Sequence, residues 1–331
     1  MKLINNLSIV PIEDYLDEPR KWDIFITCGS FEKRCMGCTE ILLSKVVDIE
    51  VSIVFNYSET NSEKERNMEV INSSLESICR NIYIFNSESV SLPRDGIIAF
   101  TKFIDEIGIS LDDKEILIDI SVFTKPYLFL LFKVLYEKYH LRQIYVAYTE
   151  PERYKSRNPS LKEIILTDGL DRIESIPGFL GSSIKSNDAL IVILGFEGKR
   201  SMEIFRSIDP SVVYAINGFP SYKPGWDKIS LESNMSFLQE SGAIENLFYS
   251  PAIDPFETKK LIEKIVEDIK GHDHDYNVII APLGTKMQAF GALLHSITDK
   301  TIKVIYPFPS KYKSDSSENY GQTWIFAVKI E

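Results

Sequence analysis

Cysteine is scarce in this chain, with four among 331 residues. That excludes a disulfide-built secreted scaffold and makes a reduced, cytoplasmic protein the expectation. No apolar run approaches the roughly 18 residues that span a bilayer, so no membrane partner is expected. The opening stretch, "MKLINNLSIVPIEDYLDEPRKW", has a short apolar patch followed by acids, unlike a signal peptide. Cations are in deficit: 37 Lys and Arg stand against 48 Asp and Glu, a net charge of −11. A surface that grips duplex nucleic acid needs clustered cations, so a broad duplex-binding face is excluded. A small anionic ligand held in a local basic pocket is not. Walker loops, Gly-x-Gly-x-x-Gly fingerprints and Ser-His-Asp orders are missing, and no cofactor is expected. Cys28, Cys35 and Cys38 lie close together, but their spacing fits no standard metal site; they read as buried or helix-face thiols. "HDHD" at 272–275 reads as a solvated turn.

What the chain does have is internal echo. "CGSFEKRCM" (Cys28 to Met36) matches "LGFEGKRSM" (Leu194 to Met202) as Gly-x-x-x-Lys-Arg-x-Met. "ERNM" ending at Met68 matches "ESNM" ending at Met235. Asn56 and Asn217 each end an apolar run, and "FTKPYLFLLF" matches "GTKMQAFGAL" through Thr-Lys. Last, Tyr148 and Tyr306 each open a Tyr-x-x-Pro-x-(Arg/Lys)-Tyr-Lys-Ser pattern, which continues as "PERYKS" and "PSKYKS". Landmarks recurring in one order point to an internal duplication. The expected division is 1–182, a first repeat with an N-terminal extension and a linker, and 183–331, a second repeat.

Within the first copy, "WDIFITC", "EVSIVFNY", "NIYIFN", "EILIDIS" and "QIYVAYT" read as strands with helical stretches between them. In the second copy "ALIVILG", "VVYAIN", "LFYSPA", "NVIIAPLG" and "IKVIYPF" repeat the series. Strands apolar throughout and alternating with helices predict a parallel sheet covered on both faces. The fold class is therefore α/β, as two tandem doubly wound, Rossmann-like domains. An extra strand pair is expected around "EIILTDG" and "DRIESIPG", with the C-terminal "QTWIFAVKI" as the matching strand of the second copy.

The repeated residues fall just past the carboxyl ends of the predicted strands, where open α/β sheets bind ligands. The candidate ligand-binding residues of the first copy are Gly29, Ser30, Lys33, Arg34, Asn56, Ser121, Thr124, Lys125, Tyr148, Arg153 and Tyr154. Those of the second are Gly195, Lys199, Arg200, Asn217, Gly284, Thr285, Lys286, Tyr306, Lys311 and Tyr312. Glycine lets backbone approach a ligand, and a helix start offers free N–H groups to an anion. Each has a plainer alternative: a turn, a helix cap, or a clamp within the sheet. The two "Tyr-Lys-Ser" segments are expected to be loops that cover the crevice as flaps. His140 and His295 each end the helix after the fourth strand, where a cation suits the helix dipole.

"NVIIAPLGTKMQAFGALL" followed by "IKVIY" resembles the signature of CRISPR-associated Rossmann-fold (CARF) domains, and "EILIDISVFTKPYLFLLF" followed by "QIYVAY" resembles a diverged version. Such domains pair across a twofold axis and bind cyclic oligoadenylates at the crevice. By this resemblance Gly284, Thr285 and Lys286 would meet phosphate or ribose, with Thr124 and Lys125 as counterparts. The chain departs from the pattern in having Phe123 where glycine is expected, and no recognisable nuclease segment follows either copy.

Two functions stay open at this level. One is a nucleotide-binding sensor or regulatory protein for prokaryotic antiviral defence, with a cyclic oligonucleotide in the cleft between two pseudo-symmetric lobes and an effector protein as a further partner. The other is an enzyme that cleaves a nucleotide or phosphosugar, with one active copy and one binding copy; Asp119-Ile120-Ser121 facing Ala281-Pro282-Leu283 supplies the asymmetry. No catalytic set is assigned.

Overall fold

The computed structural model describes residues 3–18, 20–58, 61–87, 92–141, 143–158, 163–181, 185–271, 276–314 and 316–330. The "HDHD" stretch lies outside them. By contacts the chain divides into one unit of Met1–Tyr154 with Ser317–Glu331 and a second of Lys155–Ser316.

The first unit runs β1 (Leu3–Pro11), α1 (Ile12–Tyr15), β2 (Lys21–Gly29), a 3-10 turn at Lys33–Cys35, α2 (Gly37–Ser44), β3 (Asp48–Tyr57), α3 (Ser62–Glu76), β4 (Cys79–Ser87), α4 (Pro93–Ile107), β5 (Ile116–Asp119), α5 (Lys125–Glu137) and β6 (Gln143–Tyr154). The apolar runs make strands because both sheet faces are covered. Phe25, Ile26, Ile53, Val54, Leu117 and Ile118 are all fully buried. Helix α3 starts where the sequence places a cap: the Asn61 side chain accepts from Lys64 N at 2.8 Å. Its Ile71 and Leu75, one turn apart, face the core. An aromatic cluster fills one side of the sheet, with Phe55 centred 5.0 Å from Phe85, 4.7 Å from Phe100 and 5.0 Å from Phe123. Phe123 thus replaces the expected glycine because it is a core residue.

The second unit continues with β7 (Ser156–Asn158), β8 (Glu163–Ile164), β9 (Thr167–Asp168), β10 (Arg172–Leu180), β11 (Asn187–Ile193), α6 (Gly198–Ile208), β12 (Val212–Gly218), α7 (Trp226–Glu240), β13 (Leu247–Ser250), α8 (Pro255–Gly271), β14 (Tyr276–Pro282), α9 (Lys286–Thr298), β15 (Lys303–Phe308) and β16 (Lys311–Tyr312). Its core gathers Leu190, Val192, Ile204, Val213, Phe237, Ile279 and Ile305. The last strand, β17 (Ser317–Ile330), returns to the first unit.

Among the described residues the first sheet has strand order β1-β17-β6-β5-β2-β3-β4 and the second β10-β15-β14-β11-β12-β13. In each, five parallel strands appear in the same order, beginning in the middle and reversing at the β2/β5 or β11/β14 junction. This is the doubly wound α/β class.

The edges depart from expectation. "QTWIFAVKI" does not complete the second sheet. As β17 it runs antiparallel along the whole of β6, from Ser317↔Tyr154 to Lys329↔Gln143. The edge of β15 is instead taken by β10, with Arg172 opposite Phe308 and Ser175 opposite Ile305. The strand pair expected around residues 163–180 does not form, since β8 pairs with β7, β9 with β16 and β10 with β15. The expected boundary at 182/183 therefore falls inside the second unit. The physical reason is that a parallel strand's free edge must be covered, and period-2 patterning does not say by which segment.

Candidate functional site

Both sheets reverse strand order at a junction where the sequence placed glycine. In the second unit the junction is closed by backbone. A Cβ on Gly195 would sit 2.4 Å from the Leu283 carbonyl oxygen, and one on Gly284 would sit 2.6 Å from Ile193 Cγ2. These glycines permit two loops to pack against each other. Gly29 plays a similar part in the first unit, where a Cβ would run into the Met68 side chain. An asparagine then pins each strand-one loop. Asn67 Nδ2 donates to the Ser30 carbonyl at 2.9 Å, and Asn234 Nδ2 donates to the Gly195 carbonyl at 2.7 Å. These asparagines stand inside the repeated "ERNM" and "ESNM", so the repeat marked them, although their role needed the fold.

The Thr-Lys turns open α5 and α9. Thr285 is a complete cap: its hydroxyl donates to Ala252 O at 2.6 Å and accepts from Gln288 N at 3.1 Å, and Gln288 reaches back to Thr285 N. Thr124 caps α5 without a side-chain bond, and its hydroxyl has no partner among the described residues. Lys125 and Lys286 begin helices whose first turns hold no acid. Two residues after each lysine, a side chain bonds the end of the third parallel strand. Tyr127 Oη lies 2.7 Å from Ser87 Oγ, and Gln288 Nε2 donates to Ser250 Oγ at 3.0 Å. Burial raises the Tyr127 phenol to about 12. Sequence reasoning passed over this pair because the residue types differ.

The Lys-Arg pairs split. Lys33 and Lys199 are exposed, while Arg34 and Arg200 are buried. Arg34 makes a two-pronged bond to Glu32, Nε to Oε2 at 2.9 Å and Nη2 to Oε1 at 3.0 Å, and Ser317 Oγ donates to the same carboxylate at 2.9 Å. Burial opposes the Arg34 charge, and Glu32 more than restores it, aided by Tyr148 and Tyr154. Arg200 donates to Thr167 Oγ1 at 2.8 Å and to the Gly169 carbonyl, and it pairs with Glu203 at 3.3 Å. Glu197 Oε1 accepts from Leu166 N, Thr167 N and Thr167 Oγ1 at 3.2, 3.1 and 2.7 Å. The two arginines are struts.

The "Tyr-Lys-Ser" segments are not free loops. "PERY" is the end of β6, held against β17, with Arg153 paired to Glu318 at 2.9 Å. "KY" at 311–312 is β16, laid on β9, with Lys313 paired to Asp168 at 3.1 Å and Lys311 exposed. Tyr154 lies in the field of Arg34, and Tyr312 beside Tyr306, Glu197 and Arg200. Burial pushes both phenols above their ordinary range. Paired edges replace the expected flaps because backbone groups at the end of a strand find partners in β17 and β9.

The remaining candidates are placed as follows. Asn56 Nδ2 donates to Asn86 Oδ1 at 2.8 Å along the β3/β4 edge. Asn217 is fully buried and donates to Asp227 O at 3.2 Å; its Oδ1 has no partner among the described residues. Ser121 Oγ donates to the buried Asp119 and accepts from Thr149 N at 2.8 Å. Tyr148 and Tyr306 are buried within β6 and β15 rather than at their ends. His295 corrects the dipole expectation. It is buried against α8, and burial lowers its pKa to about 4, so it is neutral. His140 is exposed just beyond α5, at φ 51°.

One open cavity of about 530 Å³ lies in the second unit, at the carboxyl end of β11. Its walls are the α6 start, α7 and the 164–169 segment.

No family model matches the sequence, and no curated protein matches it. Among solved structures, the fold is similar to that of a Type III CRISPR defence DNA nuclease activated by cyclic oligoadenylate, at a TM-score of 0.50 and 9% identity. The match covers 87% of this chain and spans 65% of that protein's length. An N-terminal ketoreductase from a macrolactin assembly line superposes at 0.24 with 11% identity, too loosely to bear on the fold. The likeness to the nuclease fixes the fold class. No helix among the described residues is long and apolar enough to cross a membrane.

Proposed function

We propose that the protein is a nucleotide-binding sensor or regulatory protein, and that its ligand is a cyclic oligonucleotide bound at the carboxyl edges of its parallel sheets. One observation carries this. In each unit a lysine begins the helix after the fourth parallel strand, in a first turn without an acid. A helix start offers free N–H groups to an anion, and a lysine beside it adds charge of the same sign to that end. The same-fold nuclease, activated by cyclic oligoadenylate, supports trying that ligand class first. So does the resemblance of the Gly-Thr-Lys turn to CARF domains, and both fit a role in prokaryotic defence with an effector protein downstream. An enzyme acting through Asp119 has less in its favour, because that carboxylate is buried and already accepts from Ser121 and Thr27.

The test is thermal unfolding with cyclic oligoadenylates of several ring sizes, with linear oligoadenylate as control. A ligand specific to the folded state at 100 times its Kd adds about 2.7 kcal/mol and raises Tm. Unmoved Tm values with every ring at saturating concentration would remove the proposal.

A further inference from the structure

The cavity at the carboxyl end of β11 has a chemistry of its own, unlike an anion site. Its size, about 530 Å³, is that of a small-molecule pocket, roughly 300–1,000 Å³. The cations on its walls are engaged. Arg200 bonds Thr167, the Gly169 carbonyl and Glu203, while the Lys199 side chain is 87% exposed with its ammonium 3.8 Å from Glu203. What the cavity offers is acceptors. Glu197 spends only Oε1 on the 166–167 backbone and the Thr167 hydroxyl. Asp168 meets Lys313 through Oδ1, and among the described residues its Oδ2 makes no bond. Glu232, exposed on α7, has no partner among the described residues. Phe196, Ile164 and Ile229 also line the cavity. The Phe196 ring is fixed edge-on against Trp226, 5.7 Å between centroids. An aromatic ring and carboxylates on the same cavity wall suit a flat, uncharged group that bears O–H and N–H donors. A phosphate would face three carboxylates, while Arg200 is turned to Thr167, Gly169 and Glu203 and Lys199 extends into solvent.

We propose that this cavity takes the nucleoside part of the ligand: a base against Phe196, with ribose hydroxyls donating to the carboxylates of Glu197, Asp168 and Glu232, and no phosphate inside. The assignment rests on the nucleotide reading above. It makes Lys199 and Arg200 cavity wall rather than phosphate contacts, and leaves phosphate to the Thr285-Lys286 turn of the same unit.

The test uses the full chain and calorimetric titration with adenosine, 2′-deoxyadenosine, inorganic phosphate and cyclic oligoadenylate. Adenosine should bind, and loss of the 2′-hydroxyl should weaken it severalfold. Phe196→Ala should weaken adenosine about tenfold through lost stacking. Glu232→Ala, an exposed change that leaves folding intact, should weaken it severalfold, and phosphate should not compete. The cavity assignment is overturned if phosphate displaces adenosine, or if both variants bind adenosine as the native chain does. It is also overturned if cyclic oligoadenylate binds but adenosine does not, and in that case the sensor function survives. Adenosine binding that responds to both variants, with no cyclic oligoadenylate binding, upholds the cavity and rejects the sensor function.

Discussion

Asn234 Nδ2 donates to the main-chain oxygen of Gly195 at 2.7 Å, tying the middle of α7 to the loop that leaves β11. The same side chain donates to Ser230 O at 2.8 Å and accepts from Ser201 Oγ at 2.6 Å, and Asn234 and Ser201 are fully buried. Asn234→Ala leaves the buried Ser201 hydroxyl without its acceptor, at about 1–3 kcal/mol, while the Gly195 carbonyl keeps the Ser230 hydroxyl at 3.2 Å. The second unit should lose about 1–3 kcal/mol in urea unfolding. A loss below about 0.5 kcal/mol would mean that Asn234 is not a tether.

Lys125→Ala and Lys286→Ala test the anion sites. A charge-assisted hydrogen bond inside a cleft contributes about 1.5–3 kcal/mol, and about 1.4 kcal/mol is tenfold in affinity. Each variant should weaken an anionic ligand at least about tenfold, and high salt should narrow the gap between variant and native chain. If the double variant keeps native affinity with its fold intact, the Thr-Lys turns are helix caps and nothing more.

His295 gives the second unit a pH dependence with a definite sign. Burial in the α8/α9 contact lowers its pKa from 6.5 to about 4, against the pull of Asp299 and Glu263 and with a small push from Lys259 and Lys270. The unfolded chain therefore takes up the proton first as pH falls. Stability is complete above about pH 6.5, declines as pH falls towards 4, and stops declining below that. The full loss is of the order of 3 kcal/mol. Denaturation at a series of pH values, compared with His295→Leu, isolates this slope. A native-like slope in the variant would rule His295 out as its source.

The assignment of β17 is testable by where damage appears. Phe326 is fully buried on that strand. Phe326→Ala should cost about 3–5 kcal/mol. Hydrogen exchange should speed up in β6, β5 and β2, and stay protected in β14 and β15. Loss of protection in the second unit instead would place the C-terminal strand there.

Burial raises the Cys35 thiol to about 12 and holds Cys38 well above its ordinary value. Because the thiolate is the nucleophile, both should resist alkylation at about pH 8 until the first unit unfolds. Modification in the native state at the rate of an exposed thiol would contradict their burial in the fold.

The sequence by itself determined the parallel strands, their helices and their order, because apolar runs and helical spacing are local signals that survive in any doubly wound sheet. It also singled out Gly29, Gly195, the Thr-Lys turns and the Lys-Arg pairs by repetition. Tertiary structure decided which segments close each sheet: β17 for the first unit and β10 for the second. An antiparallel edge strand carries no mark of its partner, since any apolar alternation can pair with any free edge. Tertiary structure also separated residues that read alike. Lys199 and Arg200 are neighbours in sequence, yet one points to water and the other is a buried strut, because successive helical positions differ by about 100° in direction. The acceptor-rich cavity was invisible for a related reason: one wall comes from 164–169, held by Glu197 and Arg200 through contacts that no local pattern records.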